Sequence, residues 1–327
     1  MRYPRPLVPG DTIGITATSS GVETAFEGRL EAAVSVLRGR GFEVELGECL
    51  LGAGHISASA PERAAEFMRM MLDPRIRAIV PPWGGETGID LLSLLDFDAL
   101  AGAEPTWYAG YSDTSTLLTP LTLLTGSASL HGGNLMDVTE SLPAGLSSWL
   151  DVASLPAGAA DAGVSASAGA GAVVRQSSPT GGWSRLGSGS GPVEVTGRMI
   201  GGCIETLANV AGTPFASREA IRALGPTIVY VEACEDGAYS ICRQLHGMRL
   251  AGFFDTAVAV LVGRTSAPDS KTLTQREAVV DALGMLGLPI IADVEIGHAG
   301  PQLTVVNGAV GRLVLDGGTQ VLEQTLA

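Results

Sequence analysis

Residues 106–115 read Thr106-Trp107-Tyr108-Ala109-Gly110-Tyr111-Ser112-Asp113-Thr114-Ser115, and this stretch decides the fold. Thr106 to Gly110 is apolar and rich in β-formers, which predicts a buried strand. Thr114 to Leu124 then follows a helical pattern with almost no loop between. A strand that ends in a serine-bearing turn and passes at once into a helix has the form of a nucleophile elbow. Such a turn exposes the hydroxyl, and the helix start offers backbone N–H groups and a positive dipole end to a developing oxyanion. Gly110, two residues before the serine, lets the backbone turn tightly. The pattern departs from G-x-S-x-G, because Thr114 stands at the second glycine position. Ser112 or Asp113 as a plain helix N-cap is the competing reading of these residues.

Working outward, the first 140 residues alternate strand and helix. Thr12 to Thr18 and Phe42 to Leu46 read as strands, and Ile76 to Pro81 as a third. Between them, Ala25 to Gly39 places Leu30, Ala33, Val34 and Leu37 on one helical face, and Gly41 stops that helix. Pro61 to Leu72 opens with proline in the first turn of a helix, and Ile89 to Leu95 reads as helical. This alternation implies a parallel sheet with helices packed on it, a Rossmann-like α/β sandwich. In such sheets the functional loops lie at the carboxyl ends of the strands, here 83–88 and 110–114.

Residues 155–172 are almost all Ala, Gly and Ser, which suits a flexible linker. The expected organisation is therefore an N-terminal α/β domain at 1–150, a linker at 151–178 and a C-terminal domain at 179–327. The second half has strands at 193–195, 227–232, 257–262 and 289–294 and helices at 218–224 and 238–250. Its end, Thr304 to Leu315, has β character with turns at Asn307-Gly308 and Asp316-Gly317. A β-rich, barrel-like α/β domain is expected there.

The 327 residues are 46% hydrophobic and 17% charged, enough apolar material for substantial cores. The formal charge of −14 opposes nucleic acid, and no basic cluster overrides it. No run reaches the roughly 18 apolar residues of a membrane span. Gly10 and Asp11 interrupt the stretch after the basic start, so no secretory signal is read, and a cytoplasmic protein is expected. The four cysteines include no C-x-x-C pair and read as reduced thiols. The four histidines lie far apart, so metal is set aside, and no cofactor is expected. Neither 10–14 nor 84–88 forms a dinucleotide or phosphate-loop fingerprint.

An activated serine needs a base, and the base an orienting acid. His298 lies in the Gly/Pro loop Ile296-Gly297-His298-Ala299-Gly300-Pro301 just past a strand. His131, in Leu130-His131-Gly132-Gly133 close to the elbow, is its rival, while His55 and His246 sit in segments with no other chemical cue. Glu232 ends the apolar strand Val229-Tyr230-Val231, where a carboxylate is poorly solvated without a partner; a water-facing strand end is the alternative. The turn Trp83-Gly84-Gly85-Glu86-Thr87-Gly88 can bring bare N–H groups close to a substrate.

Taken in order, Pro9-Gly10-Asp11-Thr12-Ile13-Gly14, Gly84-Gly85 with Leu91-Leu92 and Leu95-Asp96, Gly110-Tyr111-Ser112-Asp113-Thr114, Gly197-Arg198-Met199-Ile200-Gly201-Gly202, Glu232, and Ala292-Asp293 with His298 resemble the LD-carboxypeptidase family of serine peptidases. The resemblance implies a Ser112–His298–Glu232 triad, an oxyanion hole from the N–H groups of Gly85 and Asp113, a site between two domains, and a homodimer. Two branches are implied. One trims a D-amino acid from murein tetrapeptides. The other, of the microcin C immunity type, cleaves the amide between an aminoacyl or peptidyl group and a nucleotide-like moiety. The turn at 85–92, Leu95-Asp96-Phe97-Asp98 and Gly182-Trp183 look closer to the immunity branch, where Trp183 could stack on a base. Cys203 departs from the family, which more often has Asn there. A binding protein that keeps the fold without turnover is the reading from outside enzymology.

Overall fold

The computed structural model describes residues 1–52, 54–156, 171–187 and 189–326. The chain divides into two compact units, residues 1–141 with 148–157, and residues 142–147 with 158–327.

The first unit is built on five parallel strands, β1 (Thr12–Ile15), β2 (Glu43–Leu46), β3 (Ile76–Val80), β4 (Trp107–Gly110) and β5 (Ser129–His131), in the order β2-β1-β3-β4-β5. This is a doubly wound order with its switch point between β1 and β3. The helices are α1 (Glu27–Gly39), α2 (Ala60–Leu72), α3 (Phe97–Gly102), α4 (Ser115–Thr125) and α5 (Trp149–Ala153). Helix α1 buries Leu30, Ala33, Val34 and Leu37, the stripe its sequence predicts. Helix α2 starts with a capping box between Ser59 and Glu62. Helix α4, directly after the elbow, mixes leucines with Ser and Thr hydroxyls, carries no charge and lies almost wholly buried, ending at left-handed Gly126. Residues 88–94 form 3-10 turns rather than an α-helix: Asp90 N–H reaches back only to Thr87 O.

The second unit carries the β-rich mixed sheet expected of the second half. Its strands are β6 (Ala172–Ser177), β7 (Ser184–Leu186), β8 (Val193–Cys203), β9 (Thr227–Glu232), β10 (Ala257–Gly263) and β11 (Ile290–Val294), then β12 (Val305–Asn307), β13 (Val310–Asp316) and β14 (Thr319–Leu326). Eight of these, all but β12, form the sheet, in the order β6-β14-β13-β8-β9-β10-β11-β7. Strands β8 to β11 pair in parallel and the outer ones antiparallel. Helices α6 (Ile204–Val210), α7 (Arg218–Ala223), α8 (Ala238–Ala251) and α9 (Gln275–Leu283) complete the unit. Its core gathers Met199, Ile228, Tyr230, Leu261, Ile291 and Leu313.

Of the stretch expected as a linker, 157–170 lies outside the described residues, and both ends are regular. Helix α5 covers Trp149–Ala153, and β6 pairs with β14 over 172–177, where buried and half-buried residues alternate strictly. The small-residue composition of the neighbouring run obscures that two-residue period.

Candidate active site

The elbow is built as its sequence predicts. Strand β4 ends at Gly110 (φ +151°), where a side chain would have to displace its neighbours: a Cβ would lie 2.6 Å from Asn134 Oδ1 and 2.8 Å from Thr114 Cγ2. Tyr111 N–H donates to Asn134 Oδ1 at 3.2 Å. Ser112 then sits at φ +64°, a left-handed conformation that a non-glycine residue adopts only under local strain. A 3-10 turn over Ser112–Thr114 leads straight into α4.

The glycine turn after β3 packs on this elbow. A Cβ on Gly84 would stand 2.8 Å from Ser112 Cβ and 3.0 Å from the Asp113 amide nitrogen, so only glycine allows this approach. A Cβ on Gly85 (φ +144°) would run into the Ser19 and Ser20 hydroxyls and the Ser20 amide nitrogen. Asp113 ties turn and elbow together. Its buried carboxylate accepts from Gly88 N–H at 2.7 Å and from the Thr116 hydroxyl at 3.2 Å. Burial pushes this carboxyl up, while the hydrogen bonds from Ser19, Gly88 and Thr116 pull the other way. Ser19 accepts from Thr87 N–H at 3.0 Å, and Trp83 Nε1 donates to Ser20 O at 3.2 Å. The loops after β1, β3 and β4 thus form one cradle at the carboxyl end of the sheet, beside the switch point.

In the second unit, Glu232 ends β9 and is completely buried, which removes the water-facing alternative. Its Oε2 lies 2.7 Å from His298 Nδ1. A carboxylate only accepts, so Nδ1 carries the proton and Nε2 is left as the ring's basic nitrogen. Two glycines make room for the carboxylate. A Cβ at Gly297 (φ +88°) would lie 2.3 Å from Glu232 Oε2, and one at Gly263 would lie 2.7 Å from Glu232 Cβ. The Cys234 side chain also reaches the imidazole. Burial works to push His298 down, but the hydrogen bonds to Cys234 and Glu232 outweigh it and hold the ring up at about 10.

Beside this pair lies a cavity of about 700 Å³ within the second unit, lined by Ala233, Gly263, Arg264, Gln275, Asp293 and Ala299 among others. Asp293, like Ser112, has a left-handed backbone (φ +63°). Its carboxylate accepts from the Ser184 hydroxyl at 2.7 Å and pairs with Arg276 at 2.6 Å.

Ser112, Gly85 and Asp113 therefore share the first unit, and Glu232 and His298 share the second and touch. The rival His131 is wholly buried at the end of β5, its ring edge-on to Tyr111 at a centroid distance of 6.4 Å. Trp183, expected as a stacking platform, is 4% exposed and packs in the core of the second unit, with Nε1 donating to the buried carboxylate of Glu295. Sequence reasoning missed the Asp113 side chain as a brace, together with Asn134, Cys234 and the two glycines around Glu232. Gly297, adjacent to His298 in a loop, carried the one local signal.

The chain matches the family model described as the LD-carboxypeptidase N-terminal domain over residues 13–132 and the LD-carboxypeptidase C-terminal domain over 196–313. The microcin C7 self-immunity protein MccF of Escherichia coli is 27% identical over 329 residues, covering 95% of this chain and 92% of that protein. A probable murein peptide carboxypeptidase of Bacillus subtilis is 26% identical over 331 residues, covering 98% and 94%. The solved structure of MccF in complex with aspartyl sulfamoyl adenosine shares the fold, with a TM-score of 0.78 at 22% identity over 99% of this chain and 98% of that one.

Proposed function

Because the chain belongs to the LD-carboxypeptidase family, matched in both of that family's domains, we propose that it is a serine amide hydrolase with Ser112 as nucleophile, His298 as base and Glu232 as orienting acid. The Ser112 hydroxyl attacks the amide carbonyl and gives its proton to His298 Nε2. His298 then protonates the leaving amine, and water repeats the sequence to release the acyl group. Glu232 fixes the tautomer and stabilises the imidazolium. The N–H groups of Gly85 and Asp113 receive the tetrahedral oxyanion. The observation that carries this reading is the strained backbone of Ser112, braced by Gly84 and Asp113, together with a buried carboxylate–imidazole pair of the required type.

For the substrate, the first reading is an amide joining an aminoacyl or peptidyl group to a nucleotide-like moiety. It is supported by the immunity protein among the relatives and by that protein's complex with an aminoacyl sulfamoyl nucleoside. The second is a murein tetrapeptide, supported by a relative of nearly equal identity and by the burial of Trp183, which withdraws a stacking platform. The cavity beside His298 receives one side of the substrate in either reading. Mass spectrometry of products from aspartyl sulfamoyl adenosine and from a murein tetrapeptide, with wild type and Ser112→Ala, tests both. Cleavage of the first alone supports the immunity-type activity, and release of D-Ala alone supports the murein activity. Cleavage that survives in Ser112→Ala sinks the proposed chemistry.

A further inference from the structure

Helices α8 and α9 of the second unit pack side by side, and their contact holds a cluster that the hydrolytic reading does not use. Cys242 and His246 are four residues apart on α8, so helix geometry sets them one above the other on a single face. Asp281 of α9 faces both. Cys242 Sγ donates to Asp281 Oδ2 at 3.2 Å, and His246 Nε2 lies 3.1 Å from the same oxygen. One donor atom from each residue falls within 4.8 Å of the other two. We infer that Cys242, His246 and Asp281 form a binding site for a divalent transition metal of the zinc type.

The spacing suits such an ion. Zinc binds sulfur, nitrogen and oxygen at roughly 2.0–2.3 Å in a tetrahedron, which puts neighbouring donors roughly 3–4 Å apart. Two of the three separations are already of that size. One thiolate, one imidazole and one carboxylate favour zinc or cobalt over calcium or magnesium, which prefer all-oxygen shells. Preorganisation comes from both helices. Consecutive turns of α8 hold two ligands, and the capping box of Thr274 and Glu277 fixes the start of α9. Exposure rises from buried Cys242 through His246 to Asp281, so the fourth position opens toward solvent and takes water.

The protons balance. Arg249 Nη2 lies 3.2 Å from His246 Nδ1 and can only donate, so Nδ1 accepts and Nε2 carries its proton toward Asp281. On binding, Nε2 surrenders that proton and Nδ1 takes one, which displaces Arg249. The Cys242 thiol gives up its own to become the thiolate ligand. The net result is one proton released per ion. Arg249 therefore competes with the metal.

Titration of the full chain with cobalt(II) tests the site. The expected result is a thiolate-to-cobalt charge-transfer absorption that saturates at one ion per chain and is bleached by zinc. Cys242→Ser should abolish the band, and Cys49→Ser should leave it. Asp281→Asn and His246→Gln should each weaken binding by more than about tenfold, and Arg249→Gln should tighten it. Zinc should raise the Tm of the wild type and not that of Cys242→Ser, a comparison that also shows the variant is folded. No charge-transfer band at saturating cobalt, or a band that persists in folded Cys242→Ser, overturns the inference.

Discussion

The carboxylate of Glu232 and the imidazole of His298 form a 2.7 Å pair, and the Glu232 side of that pair is completely sealed from solvent. A buried carboxylate is costly without a partner, so this contact is both structural and chemical. Gly297, the residue next to His298, leaves the space in which the pair closes.

Gly297→Ala should break that closure. Its Cβ would fall 2.3 Å from Glu232 Oε2, and φ +88° adds a left-handed penalty of roughly 1–2 kcal/mol. The expected outcome is a fall in kcat/KM of about tenfold or more in a chain that still folds. Steady-state kinetics beside a thermal melt check it; unchanged kinetics would mean that the pair does not set the rate.

The pH dependence follows from the elevated His298. A base accepts a proton only when neutral, so with the ring held at about 10, kcat/KM should climb through the alkaline range rather than level off near 6.5. Cys234→Ala removes one of the supporting hydrogen bonds and should move that limb toward acid. The linkage to stability has the matching sign. The folded chain holds this proton more tightly than the unfolded one, so the contribution is complete below about 6.5 and is lost as the pH rises through about 10. Denaturant midpoints measured across this window should fall with increasing pH, and less steeply in Cys234→Ala.

Ser112 should show a conflict between stability and function. Ser112→Gly relaxes the φ +64° backbone and should raise stability by about 1 kcal/mol relative to Ser112→Ala, which keeps the strain. Both variants should lose turnover by about three orders of magnitude or more. Equal melting temperatures for the two would show that the strain is not stored at this residue.

Trp183 should behave as a core residue. Trp183→Phe leaves the buried Glu295 carboxylate short of a donor, at a cost of about 1–3 kcal/mol, with little change in KM. Trp183→Ala should cost about 3–5 kcal/mol through the cavity it creates. A large rise in KM without loss of stability would restore a substrate-contacting role.

Much of the first unit was legible because its elements announce themselves. The β-rich runs at 12–15 and 76–80, the stripe Leu30, Ala33, Val34 and Leu37, and the abrupt strand-to-helix step at Ser112 each leave a local signature. Glu232 and His298 were legible as types in suggestive places, but their contact spans 66 positions and no local rule encodes it. The brace from Asp113 to Gly88 was hidden for the same reason. Helix α9 announces itself only through the Thr274-x-x-Glu277 capping signal, and α6, with seven residues, is too short to show a convincing period. The burial of Trp183 is hidden because a tryptophan beside a glycine looks like a loop residue, whereas its indole finds its partner 112 residues away, at Glu295. The Cys242-x-x-x-His246 spacing is a weak signal, because its third member, Asp281, lies on another helix.

The most direct test of the central claim is to trap the acyl-enzyme. Rapid acid quench during turnover of aspartyl sulfamoyl adenosine or a murein tetrapeptide, followed by peptide mass spectrometry, locates any covalent adduct. An acyl group on the peptide that contains Ser112, absent from Ser112→Ala, is the predicted result. An adduct on another residue such as Cys234, or turnover that persists in Ser112→Ala, would contradict it.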